Sequence, residues 1–211
     1  MRRDRLGWFV VPAVLCLFSS APQASTVMQL NLGEMVQRAD RIYRGEVLSV
    51  RAGTVDVGGG QLPVTIYSLR VDEAFRGEFT EVKGIRIAEL RTLGKLAPKT
   101  SGALRSAVVL PQMPALEQGR TYLLMTTRPS AIGLSTTVGL GQGAFRITQV
   151  GKDEQAVNEA NNSGLFRGMA APPVQGIARA AAPAAAGGPV SYADLAGRIR
   201  GLTARGGRRR S

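Results

Sequence analysis

The stretch RADRIYRGEVLSV (residues 38–50) changes character halfway along. Its first residues close an amphipathic helical pattern, and its last ones read as a β-strand with Gly45 at the join. Upstream, Asn31 stands where it can cap a helix, with Glu34 three residues on to reach back, as in a capping box. Leu32, Met35, Val36 and Ala39 then recur at i, i+3, i+4 and i+7 and make one apolar face, so a short helix is expected up to about Asp40. Downstream, residues 42–57 are rich in β-branched side chains and predict a long strand in which Gly45 marks a bend or bulge.

Turn and strand signals continue from there. GGGQ (58–61) is a turn and residues 63–75 are the return strand, whose Thr65, Tyr67, Leu69 and Val71 form its more apolar face. RGEF (76–79) turns the chain again, and residues 82–90 are read as a third strand. Residues 91–105 are polar and irregular, a surface excursion, and SAVVLP (106–111) is a possible short strand. Residues 121–127 read as a strand, and their YLLM (122–125) fits a buried central strand better than the lining of a ligand site. Residues 134–150 read as two short strands with glycines between them. About six short strands behind one helix, with regular turns, predict a mainly β fold, a small barrel or sandwich.

The ends of the chain have a different composition. Arg2, Arg3 and Arg5 precede an apolar run of 13 residues (6–18) and then the small residues of SSAPQAS, which is the order of a secretory signal peptide. The run is short for a membrane span, although an uncleaved anchor is the alternative. Cleavage is expected after Ala24, or after Ala21, so residues 1–24 are assigned to the signal and the protein to the periplasm or the extracellular space. The single cysteine, Cys16, leaves with that segment, so the exported chain needs an ordinary apolar core instead of disulfides.

Residues 25–164 carry 16 Lys and Arg against 13 Asp and Glu, a net of +3, while residues 165–211 carry eight arginines against Asp194 alone, a net of +7. The basic character therefore lies in the tail. Between body and tail, residues 168–190 hold nine Ala, four Pro and four Gly among 23, the composition of a mobile, disordered linker. The expected division is a barrel domain over 25–165, a linker over 166–190, an amphipathic helix over 191–204 and a basic tail over 205–211. Ser191 can cap that helix, and Tyr192, Leu195, Ile199 and Leu202 share its apolar face. Gly197 and Gly201 each weaken it by about 1 kcal/mol relative to alanine.

ADRIYRGEVLSV, YSLRVDEAFRGEF, GRTYLLMTT and VGLGQGAFRI, in that order, resemble a group of exported bacterial proteins of unknown function. The same order is similar to the netrin-like module of tissue metalloproteinase inhibitors. The resemblance covers residues 35–150 and implies an OB-type β-barrel packed with helices. Those inhibitors act through an amino-terminal cysteine, and here the expected first residue is Ser25, so their inhibitory chemistry transfers to no residue of this chain.

The residue types argue against catalysis. With no histidine and no cysteine beyond Cys16, the commonest bases, nucleophiles and transition-metal ligands are missing. Of the paired carboxylates, Asp72 and Glu73 fall on opposite faces of a strand, while Glu78 with Glu81 and Asp153 with Glu154 read as turn residues. GLGQGAF (139–145) lacks the Gly-Lys-Ser/Thr ending of a phosphate loop and precedes no amphipathic helix, so its glycines are expected between close-packed strands with Phe145 in the core. No catalytic, metal or cofactor site is expected.

The only candidate binding residues are Arg205, Arg208, Arg209 and Arg210, whose clustered charge suits a polyanion, anionic polymer or lipid headgroups alike, or is simply solvated. Three functions are carried forward: a non-enzymatic exported binding or inhibitor-like module with an envelope protein as partner, a polyanion- or surface-associating protein acting through its tail, and a hydrolase with an unrecognised site.

Overall fold

A computed structural model describes residues 28–94, 113–169 and 187–207. Residues 1–27 with the expected signal segment, residues 95–112 with SAVVLP, most of the expected linker (170–186) and Arg208 to Ser211 lie outside the described residues.

Helix α1 is Leu32–Arg38. Its capping box is complete: Glu34 N–H donates to the Asn31 side chain at 2.9 Å, and Asn31 N–H donates to the Glu34 carboxylate at 2.9 Å. Leu32, Met35, Val36 and Ala39 are all buried, as the spacing required. The chain then enters β1 (Arg41–Asp56) and returns in β2 (Gln61–Arg76), an antiparallel pair of 16-residue strands. Next come β3 (Thr80–Val82), β4 (Ile85–Leu93) and β5 (Thr121–Thr126). A 3-10 turn (Leu140–Gly143) leads into β6 (Ala144–Val150), followed by β7 (Asp153–Asn158), β8 (Val190–Ser191) and helix α2 (Tyr192–Gly207). The fold is mainly β, one antiparallel sheet in the order β3-β4-β2-β1-β5-β6-β7-β8 with a helix at each end of the chain. Its ladders run from β3 to β8, and no ladder joins those two ends among the described residues.

Gly45 explains how β1 serves two neighbours. The β1–β2 register shifts between Arg44 and Gly45, and a Cβ at Gly45 would stand 2.3 Å from the Arg70 carbonyl oxygen. Only glycine admits that approach, and the bulge bends β1 so that Gly45 pairs with Val71 on one side and Tyr122 on the other.

Alternation divides the interior into two cores. Tyr43, Val47, Tyr67, Leu69, Val71, Ala88, Leu90, Tyr122 and Leu124 gather on one side of the sheet with Leu116. Ile42, Leu123, Met125, Phe145, Ile147 and Ala156 gather on the other, under α1 and α2. Thus YLLM is buried at every position because its strand is covered on both faces.

Four local expectations change. Residues 82–90 are not one strand, because Lys83 (φ 52°) and Gly84 (φ 77°) form a tight two-residue turn of the primed kind between β3 and β4. Residues 91–93 belong to β4, not to the excursion. Residues 134–143 hold a single bridge, Thr126 to Thr137, and then the 3-10 turn, in place of a regular strand. Residues 153–158 form a strand where turn carboxylates were expected.

The division at residue 165 also changes. Tyr192, Leu195, Ala196 and Ile199 of α2 are buried in the same core as α1 and Phe145, so 25–165 is not a complete packing unit. The helix extends beyond 191–204, and its predicted face of Tyr192, Leu195, Ile199 and Leu202 is the one that packs. Each fully buried Leu or Ile contributes about 1.5–3 kcal/mol, enough to offset two helical glycines. Both flanks of the linker are fixed as well: Phe166 and Met169 lie against the core, and Gly188 N–H donates to the Asn161 carbonyl at 2.6 Å.

Candidate functional site

The densest cluster of charged groups lies where α2 meets the sheet. Arg44 of β1 reaches Glu154 of β7 with both terminal nitrogens, at 2.6 and 2.7 Å. Its guanidinium also stacks 4.6 Å from the centre of the Tyr192 ring. The Tyr192 hydroxyl donates to Glu73 of β2 at 2.6 Å, and Arg200, one helical face further on, donates to the other Glu73 oxygen. Register assembles this group, since Arg44 and Glu73 are direct partners across β1 and β2.

Electrostatics favour the charged forms of Glu73 and Arg44. Burial would raise the Glu73 carboxyl, but the Tyr192 and Arg200 hydrogen bonds and the Arg200 and Arg44 charges outweigh it and hold the group below its ordinary 4.5. Hydrogen bonding to Glu154 raises Arg44 against the opposing effect of burial. Burial first, then the Glu73 carboxylate, push the Tyr192 phenol well above its usual range. A shallow depression of about 350 Å³ beside the clasp is lined by Lys152, Asp153, Glu154, Ser191 and Tyr192 among others. It opens where β8 stops pairing, since β8 meets β7 only at Gln155 and Ala156.

A second polar group is buried at the opposite end of α1. The Gln142 side chain accepts from Leu30 N–H at 2.8 Å and donates to the Met28 carbonyl at 3.0 Å. Asn158 and Asn162 exchange side chain to backbone bonds at 2.7 and 3.1 Å, and Asn162 donates to the carbonyls of Ala156 and Gly188 at 2.9 and 2.8 Å. Buried amides are costly unless bonded in this way, and here they pin the segment before α1 and the segment before β8 to the 3-10 turn.

The glycines of GLGQGAF have a packing role. Gly139 is left-handed (φ 63°), and a Cβ at Gly143 would lie 2.4 Å from the Val138 carbonyl oxygen. The segment leads into a strand, not a helix, and Phe145 is fully buried, as the sequence predicted.

The carboxylate pairs separate as follows. Asp72 pairs with Arg70, which also holds Glu46, while Glu73 turns to α2. Glu78 and Glu81 are exposed; Asp153 is exposed, but Glu154 is half-buried in the clasp, contrary to the expectation of a solvated turn residue. Of the tail, Arg205 is exposed in the last turn of α2. Among the described residues no group of three or more His, Cys, Asp or Glu is placed to hold a metal, and no helix is long and apolar enough to cross a membrane.

Sequence reasoning missed Arg44 and the roles of Glu73, Glu154 and Tyr192. Five residues from four elements create that cluster, and only strand register could have foretold it. Compared with known proteins, the chain matches no family model and no curated protein.

Proposed function

We propose that the chain is an exported, non-enzymatic binding module built on an OB-type barrel, with a protein of the cell envelope as its partner. The barrel is supported by the bend at Gly45 and by one backbone hydrogen bond, Ser135 N–H to the Arg91 carbonyl at 2.9 Å. Residues 136 and 138 also bond to β5, so that segment bridges β5 to β4 around the core of Tyr43, Leu69 and Leu124. This is the arrangement expected of the netrin-like module that the sequence resembles. Assignment to binding instead of catalysis rests on residue types and on both carboxylates being engaged, Glu73 with Tyr192 and Arg200 of α2 and Glu154 with Arg44 of β1.

The observation that carries the proposal is the edge hairpin β3–β4. Val82 and Ile85 face each other in register, 50% and 46% exposed, at the end of the sheet. An edge strand with apolar side chains suits an extended peptide that adds by main-chain pairing. The test is capture of partners from envelope extract by the full exported chain, at moderate and high salt, beside Val82→Glu/Ile85→Glu. A protein retained at high salt and lost by the variant is the expected outcome. Equal capture by the variant, or nothing held at high salt, refutes it.

A second function is favoured by a separate observation. Packing of α2 brings Arg205, exposed in its last turn, beside the end of β2, where a Cβ on Gly206 would lie 3.5 Å from Arg76, which suits a polyanion held through the basic tail.

A further inference from the structure

We infer that the side-chain amide of Asn161, in the turn after β7, is a modification site: it accepts a saccharide from a lipid-linked diphosphate carrier. This rests on the export proposed above.

Asn161, Asn162 and Ser163 give asparagine, a residue other than proline, and then a hydroxyl, the pattern at which an exported chain takes an N-linked saccharide. The chain has four asparagines, and Asn31, Asn158 and Asn162 are followed two places on by Gly33, Ala160 and Gly164, so only Asn161 meets the pattern. Patterns this short occur by chance, and the deciding context is a surface turn with the asparagine free. Here β7 ends at Asn158, and tight turns follow at once: Asn161 N–H donates to the Asn158 carbonyl at 2.9 Å and Ser163 N–H to that of Ala160 at 3.0 Å.

The asparagines of this turn have different surroundings. Asn158 and Asn162 are buried, and each side chain accepts from the other's backbone N–H. Asn161 is exposed. Its backbone is fixed, since Gly188 N–H donates to its carbonyl, yet among the described residues no hydrogen bond holds its side-chain amide. Gly187 leaves that amide uncovered, because a Cβ there would lie 3.2 Å from the Asn161 Nδ2. The Ser163 hydroxyl is also unengaged among the described residues. Glu159, two residues before the acceptor, is exposed and gives a transferase a charge to recognise beside that hydroxyl. Left-handed backbone explains part of the sequence, since asparagine tolerates the φ of 51° and 55° at Asn161 and Asn162. It does not call for a hydroxyl at Ser163, whose backbone is not left-handed.

In the transfer, the Asn161 Nδ2 attacks C1 of the first sugar. The N–C1 bond forms as the C1–O bond to the carrier breaks, the lipid diphosphate leaves with that electron pair, and the proton shed by the amide passes to a base of the transferase. An amide nitrogen is a weak nucleophile, because its lone pair is shared with the carbonyl. The transferase must therefore grip and twist the acceptor, which a free amide permits. The amides of Asn158 and Asn162, held by buried hydrogen bonds, do not.

The test is mass spectrometry of the full chain recovered from the envelope fraction of its own cells. Trypsin should release residues 153–167 as one peptide, which carries Asn158, Asn161 and Asn162. The expected result is that peptide with an added saccharide mass, sugar oxonium ions on collisional fragmentation, and electron-transfer fragments that place the addition on Asn161. Asn161→Gly and Ser163→Ala should each lose the addition with the melting curve unchanged, since glycine suits a left-handed position and the hydroxyl is unengaged, whereas Ser163→Thr should keep it. An unmodified peptide from chain that begins at Ser25 or Pro22 overturns the inference and leaves export standing. An addition that survives Ser163→Ala, or that sits on another residue, overturns it as well. Chain that retains Met1 and carries no sugar removes export and this inference together.

Discussion

Ile199→Ala tests whether α2 is part of the core or an appendage. Ile199 is fully buried between α1 and the sheet, in one cluster with Leu195, Met35 and Phe145. The substitution deletes three buried carbons, worth about 2.4 kcal/mol at ~0.8 kcal/mol each. A cavity term adds to this, because the neighbours are held by the sheet and relax only partly, so the expected loss is about 3–4 kcal/mol. At roughly 2–4 °C per kcal/mol for a chain of this size, Tm should fall by about 6–16 °C. Urea unfolding gives the first quantity and a thermal melt the second, both followed by circular dichroism, with Ala204→Ser on the exposed side of α2 as control. A loss below about 0.5 kcal/mol, the range of surface substitutions, refutes the packing of α2 into the core.

Further outcomes follow from the same contacts. Leu69→Asp and Leu123→Asp place a carboxylate at fully buried positions on opposite sides of the sheet, and each should abolish soluble expression, since the cost of several kcal/mol is a large part of a total of roughly 5–15; native-like melts would break the register. Gly143→Ala should destabilise by about 1–3 kcal/mol, because the new methyl meets the Val138 carbonyl, and an unchanged urea midpoint would exclude that contact. The Glu73 carboxyl is depressed in the folded state, so its contribution is complete above the ordinary 4.5 and is lost as pH falls through the lower folded value. Glu73→Gln should therefore flatten the acid limb of the stability curve, and identical limbs in both proteins would deny the clasp a role. Intact mass of secreted material should give an N-terminus at Ser25 or Pro22, and retention of Met1 would contradict cleavage.

What could be read from the sequence was local. The Asn31 and Glu34 capping box, the 3.6-residue spacing of α1 and the alternation of Thr65, Tyr67, Leu69 and Val71 involve neighbours in the chain, and each is found as expected. Gly45 was recognisable because a glycine inside a β-branched run has few other uses. The Lys83–Gly84 turn was hidden because lysine is an uncommon residue in the left-handed conformation that a primed turn demands. β7 was hidden because its DEQAVN has no alternating apolar face and only Ala156 enters the core. The clasp was beyond sequence reasoning, because strand register and the seating of α2 bring Arg44 to Glu154, and Glu73 to Tyr192 and Arg200, across 110 residues or more.

The position of Ile199 has a consequence for how the molecule comes into being. A core that contains Ile42 and Ile199 cannot close until the ribosome has reached residue 199, long after residue 42. At about 5–20 residues per second, the ~160 residues between them take roughly 8–30 s to make. During that interval the sheet face that α2 will cover has no cover, and the nascent chain stays short of its native state.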